Sequence, residues 1–165
     1  MSKNRVKNSG LLGKMRAREK QQDNHYKNFY RGRHRVVMLA NKEYILAFST
    51  ASDQLTWTDI DCTLQSDGVT PTSISSDTIA VILLMSFRDT GSAATTCYLQ
   101  ARLNGSTDDP GQLVVRGGHI NSMTNYAQGI VSVDSNMKIE YKRDSTGAST
   151  ATGDIAIIGY IEQIS

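Results

Sequence analysis

The chain has 165 residues, 39% of them hydrophobic and 21% charged, with thirteen glycines, two prolines and two cysteines. That composition suits one globular body plus an extension and excludes a low-complexity or fibrous chain. The net charge of +2 conceals a segregation: residues 1–35 carry eleven of the eighteen Lys and Arg against Glu19 and Asp23 alone, hence +9, and the rest of the chain carries −7.

Residues 1–50 are expected to form a basic N-terminal arm. A stretch of one dominant charge with little apolar surface repels itself and orders only against another surface. Within it Met15, Gln22, Tyr26 and Phe29 fall near one helical face, so a short helix that forms on contact is expected between Leu11 and Tyr30. Arg5, Lys14, Arg16, Arg18, Arg31 and Arg33 can neutralise phosphates or lie across an acidic neighbour. Tyr26, Phe29 and Tyr30 stand among them and suit protein contact, because a purely electrostatic arm needs no apolar anchors. No apolar stretch of secretory type follows the first residues, and the longest apolar run, Ile79 to Met85, falls far short of the roughly 20 residues of a membrane-crossing helix. Folding in a cytoplasm is the expectation.

After Arg35 the pattern turns to β. Val36 to Leu39 and Tyr44 to Phe48 read as two short strands around a turn at Asn41, Lys42 and Glu43, either opening the body or reaching out as a β-arm. Residues 51–165 are expected to be the body. Its first strand places Ile60, Cys62 and Leu64 inward. The nearly continuous apolar run within Thr78 to Arg88 predicts a strand covered on both faces. Thr95 to Leu103 alternates, with Cys97, Leu99, Ala101 and Leu103 inward and Tyr98, Gln100 and Arg102 outward. Leu113 to Arg116 is a brief strand. Ile130 to Val133 and Met137 to Lys142 flank Asp134, Ser135 and Asn136 as a hairpin, and Asp154 to Ile164 closes the chain with Ile155, Ile157, Gly159 and Ile161 in register. Roughly eight strands with turn signals between them predict an all-β fold, an antiparallel β-sandwich of jelly-roll type carrying an extended basic N-terminal arm.

No residue context for a nucleophile with its base is present, so no enzyme and no catalytic residue is expected. Cys62 and Cys97 match no zinc spacing and read as reduced core thiols; His25, His34 and His119 are scattered. No cofactor and no metal is expected. Asp59 and Asp61 share a strand face and can bind a cation, although exposed edge acids are the simpler reading. Gly117 and Gly118 read as a tight bend, because no helix follows to complete an anion cradle. Trp57 is expected in the core, with sugar stacking as its alternative.

Trp57-Thr58-Asp59-Ile60-Asp61, the strand Ile79 to Phe87 ending in Arg88-Asp89, the strand Tyr98 to Asn104, Val133-Asp134-Ser135-Asn136, Ile139-Glu140-Tyr141 and Ile158-Gly159-Tyr160 resemble the small β-sandwich modules in structural proteins of tailed bacteriophages. The resemblance covers about residues 55 to 165. It implies a non-enzymatic virion structural protein, made in the host cytoplasm: a capsid decoration, cement or head-fibre-base component forming a homotrimer. Its arm would grip other virion proteins through Arg5, Lys14, Arg16, Arg18, Tyr26, Phe29, Tyr30, Arg31 and Arg33. Two alternatives stay open. One is a small jelly-roll capsid protein whose arm contacts the packaged nucleic acid, and the other is a tail-fibre receptor-binding module using Trp57, Tyr98 or the loop from Asn104 to Gly111.

Overall fold

The computed structural model describes residues 33–91, 97–107, 111–117, 123–147 and 150–164. Residues His34–Gln163 form one compact unit. The other unit, Met1–Arg33 with Ile164–Ser165, falls outside the described residues except at positions 33 and 164.

Eight strands follow one another: β1 (Arg33–Ala51), β2 (Gln54–Asp61), β3 (Thr78–Asp89), β4 (Tyr98–Leu103), β5 (Leu113–Arg116), β6 (Thr124–Ser132), β7 (Lys138–Asp144) and β8 (Ala151–Ile164). The described residues contain no helix. The strands build two four-stranded sheets, the first in the order β1-β8-β3-β6 and the second in the order β2-β7-β4-β5. Their pairing is nested: β1 lies beside β8, β2 beside β7, β3 beside β6 and β4 beside β5. Only β4 and β5 are consecutive strands of one sheet; every other connection carries the chain across to the opposite sheet. The result is an all-β body of two antiparallel sheets.

Period-two alternation places the core between the sheets. Val81, Leu83, Met85 and Phe87 of β3 are fully buried together with Ile155 and Ile157 of β8, and meet Leu99 of β4 and Ile139 of β7. Each large apolar side chain buried in this way contributes about 1.5–3 kcal/mol. Cys62 and Cys97 are free thiols buried in the same core, as expected of cysteines on strands. Burial, with Asp61 and Asp134 nearby, pushes the Cys62 thiol up to about 12, so it is neutral near pH 7.

Five expectations change. The turn at Asn41, Lys42 and Glu43 is not made, because β1 runs unbroken from Arg33 to Ala51 and occupies part of the segment assigned to the arm. The connection between β2 and β3 laces this stretch: the Glu43 carboxylate accepts from the Ser73 backbone and hydroxyl, and Ser66 N–H donates to Tyr44 O at 2.7 Å. The expected hairpin around Asp134 is instead a corner between sheets, since β6 pairs with β3 whereas β7 pairs with β2 and β4. Asp134 Oδ1 accepts from the backbone N–H groups of Asn136 and Lys138, Oδ2 accepts from Asn104, and Met137 adopts φ 60° to complete the bend.

Along β8 the four residues expected on one face divide. Ile157 pairs with Leu83 and Gly159 with Ile82, so one residue bulges out of register and Gly159 and Ile161 turn to the outer face. Finally, Gln100 and Arg102, expected on an exposed face of β4, are 5% and 8% exposed. The Trp57 ring lies over Arg102, and Trp57 itself stands outside the core in which it was expected.

Candidate functional site

The outer face of the first sheet follows from the register. Ala80, Ile82, Leu84, Ser86 and Arg88 of β3 point outward, opposite the inward set. Row by row across β8, β3 and β6, Gly159, Ile82 and Ile130 align, then Ala156, Leu84 and Gln128, then Asp154, Ser86 and Tyr126, then Thr152, Arg88 and Thr124. Met38 of β1 extends the first row: a Cβ at Gly159 would fall 2.9 Å from Met38 Sδ and 3.2 Å from Ile82 Cδ1, so glycine admits the methionine there. One half of the face is therefore apolar and the other polar.

The centre of the apolar half is buried, Ala80, Ile82 and Ala156 included, and among the described residues its edges are left open. Val36, Met38 and Ile130 are 60%, 59% and 56% exposed, and Tyr126 on the adjoining row is 69% exposed. Large apolar groups left this open and contiguous mark a contact surface in soluble proteins. The polar half holds an open groove of about 530 Å³ whose lining includes Tyr44, Ser86, Arg88, Thr124, Thr152 and Asp154. Ser86 Oγ donates to Asp154 Oδ2 at 2.7 Å, while the exposed Arg88 has no salt bridge among the described residues. Hydroxyls, one free guanidinium and a hydrogen-bonded carboxylate give this region a capacity for polar recognition.

On the second sheet the outer face is closed by its own side chains. Arg102 of β4 donates to Glu140 of β7 at 2.8 Å, with both side chains nearly enclosed. The Trp57 ring lies 3.8 Å from the Arg102 guanidinium and 5.0 Å from Lys142 Nζ, and Lys142 also reaches within 5.7 Å of Tyr98. Long stems bury against the sheet while their charged heads meet aromatic faces or a carboxylate. Gln100 Oε1 sits under this layer with no hydrogen-bond partner.

No family model and no curated protein matches this chain.

Of the residues assigned to anchoring, Arg5, Lys14, Arg16, Arg18, Tyr26, Phe29, Tyr30 and Arg31 lie outside the described residues, and Arg33 stands at the first position of β1. Arg35, two residues into β1, pairs with Glu162 of β8 through Nε at 2.7 Å. Trp57 and Tyr98, named as alternative sugar contacts, do come together across Lys142, but as parts of the closed layer. Asp59 and Asp61 do not act as a pair: Asp59 meets Lys138 at 3.2 Å, and Asp61 accepts from the backbone and hydroxyl of Thr63. Among the described residues no group of three or more His, Cys, Asp or Glu is placed to hold a metal ion. At Gly117 a Cβ would collide with Cys97 Sγ, and the bend expected there involves Gly118, which lies outside the described residues. The groove residues escaped the sequence reading, although Ser86 and Arg88, the two polar residues that close the apolar run of β3 on alternate positions, carried the signal.

Proposed function

We propose that the chain is a non-enzymatic virion structural protein of a tailed bacteriophage, a capsid decoration, cement or head-fibre-base component with a jelly-roll body and a basic N-terminal arm. The observation that carries the reading is the nested strand pairing, β1 with β8 inward to β4 with β5. A long hairpin folded over into two sheets generates that order, and eight strands in such an arrangement form the jelly roll used by many capsid and lectin domains. The arm joins the body at β1, where Arg35 and Glu162 form an ion pair that fixes its root. Beyond it, residues 1–32 hold nine Lys and Arg against two acids, a charge suited to an acidic subunit surface. If extended, they would reach on the order of 100 Å at about 3.3 Å per residue.

Deleting residues 2–32 spares β1 and tests the reading. The truncated chain is expected to keep its fold, read by circular dichroism, and to lose its place on purified particles, read by occupancy. Normal occupancy of the truncated chain overturns the anchoring role.

The strong charge of the same segment favours a second reading, a small capsid protein whose arm lines the packaged genome. Affinity of a peptide covering residues 1–32 for nucleic acid should then fall steeply with salt, by roughly 0.7 to 0.9 log units per phosphate contact for each tenfold rise. A peptide with no affinity at physiological salt counts against it.

A further inference from the structure

We propose that the polar half of the first sheet's outer face binds a neutral hexopyranose, with the sugar ring laid between Tyr126 and Asp154. The open groove there encloses about 530 Å³, inside the roughly 300–1,000 Å³ of small-molecule sites. Its floor is built from two adjacent rows of the register. Asp154, Ser86 and Tyr126 stand side by side on β8, β3 and β6, and Thr152, Arg88 and Thr124 stand side by side in the next row. Ser86 donates to Asp154 Oδ2 at 2.7 Å, which fixes the carboxylate and leaves Oδ1 to accept from a ligand. The site lies wholly within the body, so it goes beyond the virion reading and does not depend on it.

The charges select a neutral ligand that both donates and accepts. Arg88 pairs across the strands with Thr152, so Asp154 is its diagonal neighbour, about 7 Å away, and the two form no ion pair among the described residues. Lys42 of β1 lies 4.7 Å from the Tyr44 ring and faces Asp154 from the other side. A simple anion entering here meets Asp154, and a simple cation meets Arg88 and Lys42. Two adjacent hydroxyls meet neither penalty: one donates to Asp154 while the next accepts from Arg88, each in a charge-assisted hydrogen bond. The Thr152 and Thr124 hydroxyls flank Arg88 and serve the remaining polar edge. Tyr126 supplies the apolar wall. Its ring is 69% exposed and stands two strand spacings, about 10 Å, from Asp154, with the small Ser86 between them. One pyranose fills that width, its C–H groups against the electron-rich face of the ring and its hydroxyls over the floor. A polar floor, an aromatic wall and a width of one ring together distinguish a sugar from an ion or an apolar ligand.

A chemical-shift titration of the full chain with the methyl glycosides of glucose, mannose and galactose tests the assignment. At least one should move the amide signals of Ser86, Tyr126 and Asp154 saturably, at millimolar concentration because the groove is open. Asp154→Asn, Arg88→Gln and Tyr126→Ala should each weaken binding of that glycoside by about tenfold. Tyr126 is exposed, so its replacement keeps the fold, and the test stands even where circular dichroism shows that a change at Asp154 disturbs it. Ile130→Glu, on the apolar half, should leave the affinity unchanged. No saturable shift with any of the three glycosides, shifts centred instead on Trp57, or an affinity untouched by Tyr126→Ala overturns the proposal. So does a response to sodium phosphate with none to the glycosides, which would make the groove an anion site.

Discussion

On the outer face of the second sheet Arg102 is almost wholly enclosed and lies 3.8 Å from the Trp57 ring, whereas on the outer face of the first Met38, Tyr126 and Ile130 stand more than half exposed. The cause lies in which residues occupy the central strands. β4 and β7 carry Gln100, Arg102, Glu140 and Lys142 outward; their long stems cover the sheet, and the heads of Arg102, Glu140 and Lys142 find partners on it. At the corresponding positions β3 and β8 carry Ala80, Ile82, Leu84, Ala156, Gly159 and Ile161, which bury one another at the centre but do not reach over the edge strands, where Met38 of β1 and Tyr126 and Ile130 of β6 stand exposed. A sheet can thus close its second face with long charged side chains, or leave large apolar groups open at its edges.

Substitutions on the closed face should cost the most stability. Glu140→Ala takes away the carboxylate that Arg102 meets in a nearly enclosed setting and should lower unfolding free energy by about 3 kcal/mol in urea titrations. Trp57→Ala strips the ring from two cations and should cost about 2 kcal/mol by the same measurement, from lost area and cation–π contact.

Acid should act through the connections at the ends of the sandwich. For Asp89, burial opposes ionisation, but hydrogen bonds from Gly91, Thr146 and Thr150 outweigh it and hold the carboxyl below its usual range. Asp134 behaves alike: burial works against the hydrogen bonds of Lys138, Asn104 and Asn136, which prevail. A lowered folded pKa gives stability that is complete above the unfolded carboxylate value, about 4, and is lost as pH falls through the folded value. Thermal midpoints should therefore drop on acidification below about pH 4, and Asp89→Asn should flatten that decline. Asp144 has the opposite sign: burial, then the charges of Asp53 and Asp89, raise its pKa, so its ionised form strains the fold at neutral pH. Asp144→Asn should raise the neutral-pH midpoint slightly.

The smallest stability change and the sharpest contrast belong to the open face. Ile130→Glu should shift unfolding free energy by no more than about 0.5 kcal/mol, because the side chain is more than half exposed. If it destabilises the chain as strongly as Glu140→Ala does, the two faces are not different in kind.

Much of the fold was legible in the sequence, because period-two alternation survives wherever one face is buried. Val81, Leu83, Met85 and Phe87 announced an inward face, as did Leu99 with Ala101 and Ile139 with Tyr141. What alternation does not encode is which strand lies alongside. Asp134-Ser135-Asn136 has hairpin chemistry, yet its two limbs bond to Ile79 and Cys62 in opposite sheets, a long-range choice that three turn residues do not determine. The continuity of β1 through Asn41, Lys42 and Glu43 depends on Ser66 and Ser73, more than twenty residues away. The bulge at Ile158 was hidden for the same reason, since one extra residue looks like a continued apolar run until its partners are known. The enclosed layer on the second sheet was missed because Arg102, Glu140 and Lys142 read individually as solvent-facing charges; only their convergence on Trp57 buries them.

Oxidative footprinting of the full chain reads both faces at once. Met38 and Tyr126 should label readily, while Trp57, packed against Arg102 and Lys142, should label slowly. Slow labelling of Met38 and Tyr126, or labelling of Trp57 as fast as theirs, would contradict the division between an open and a closed face.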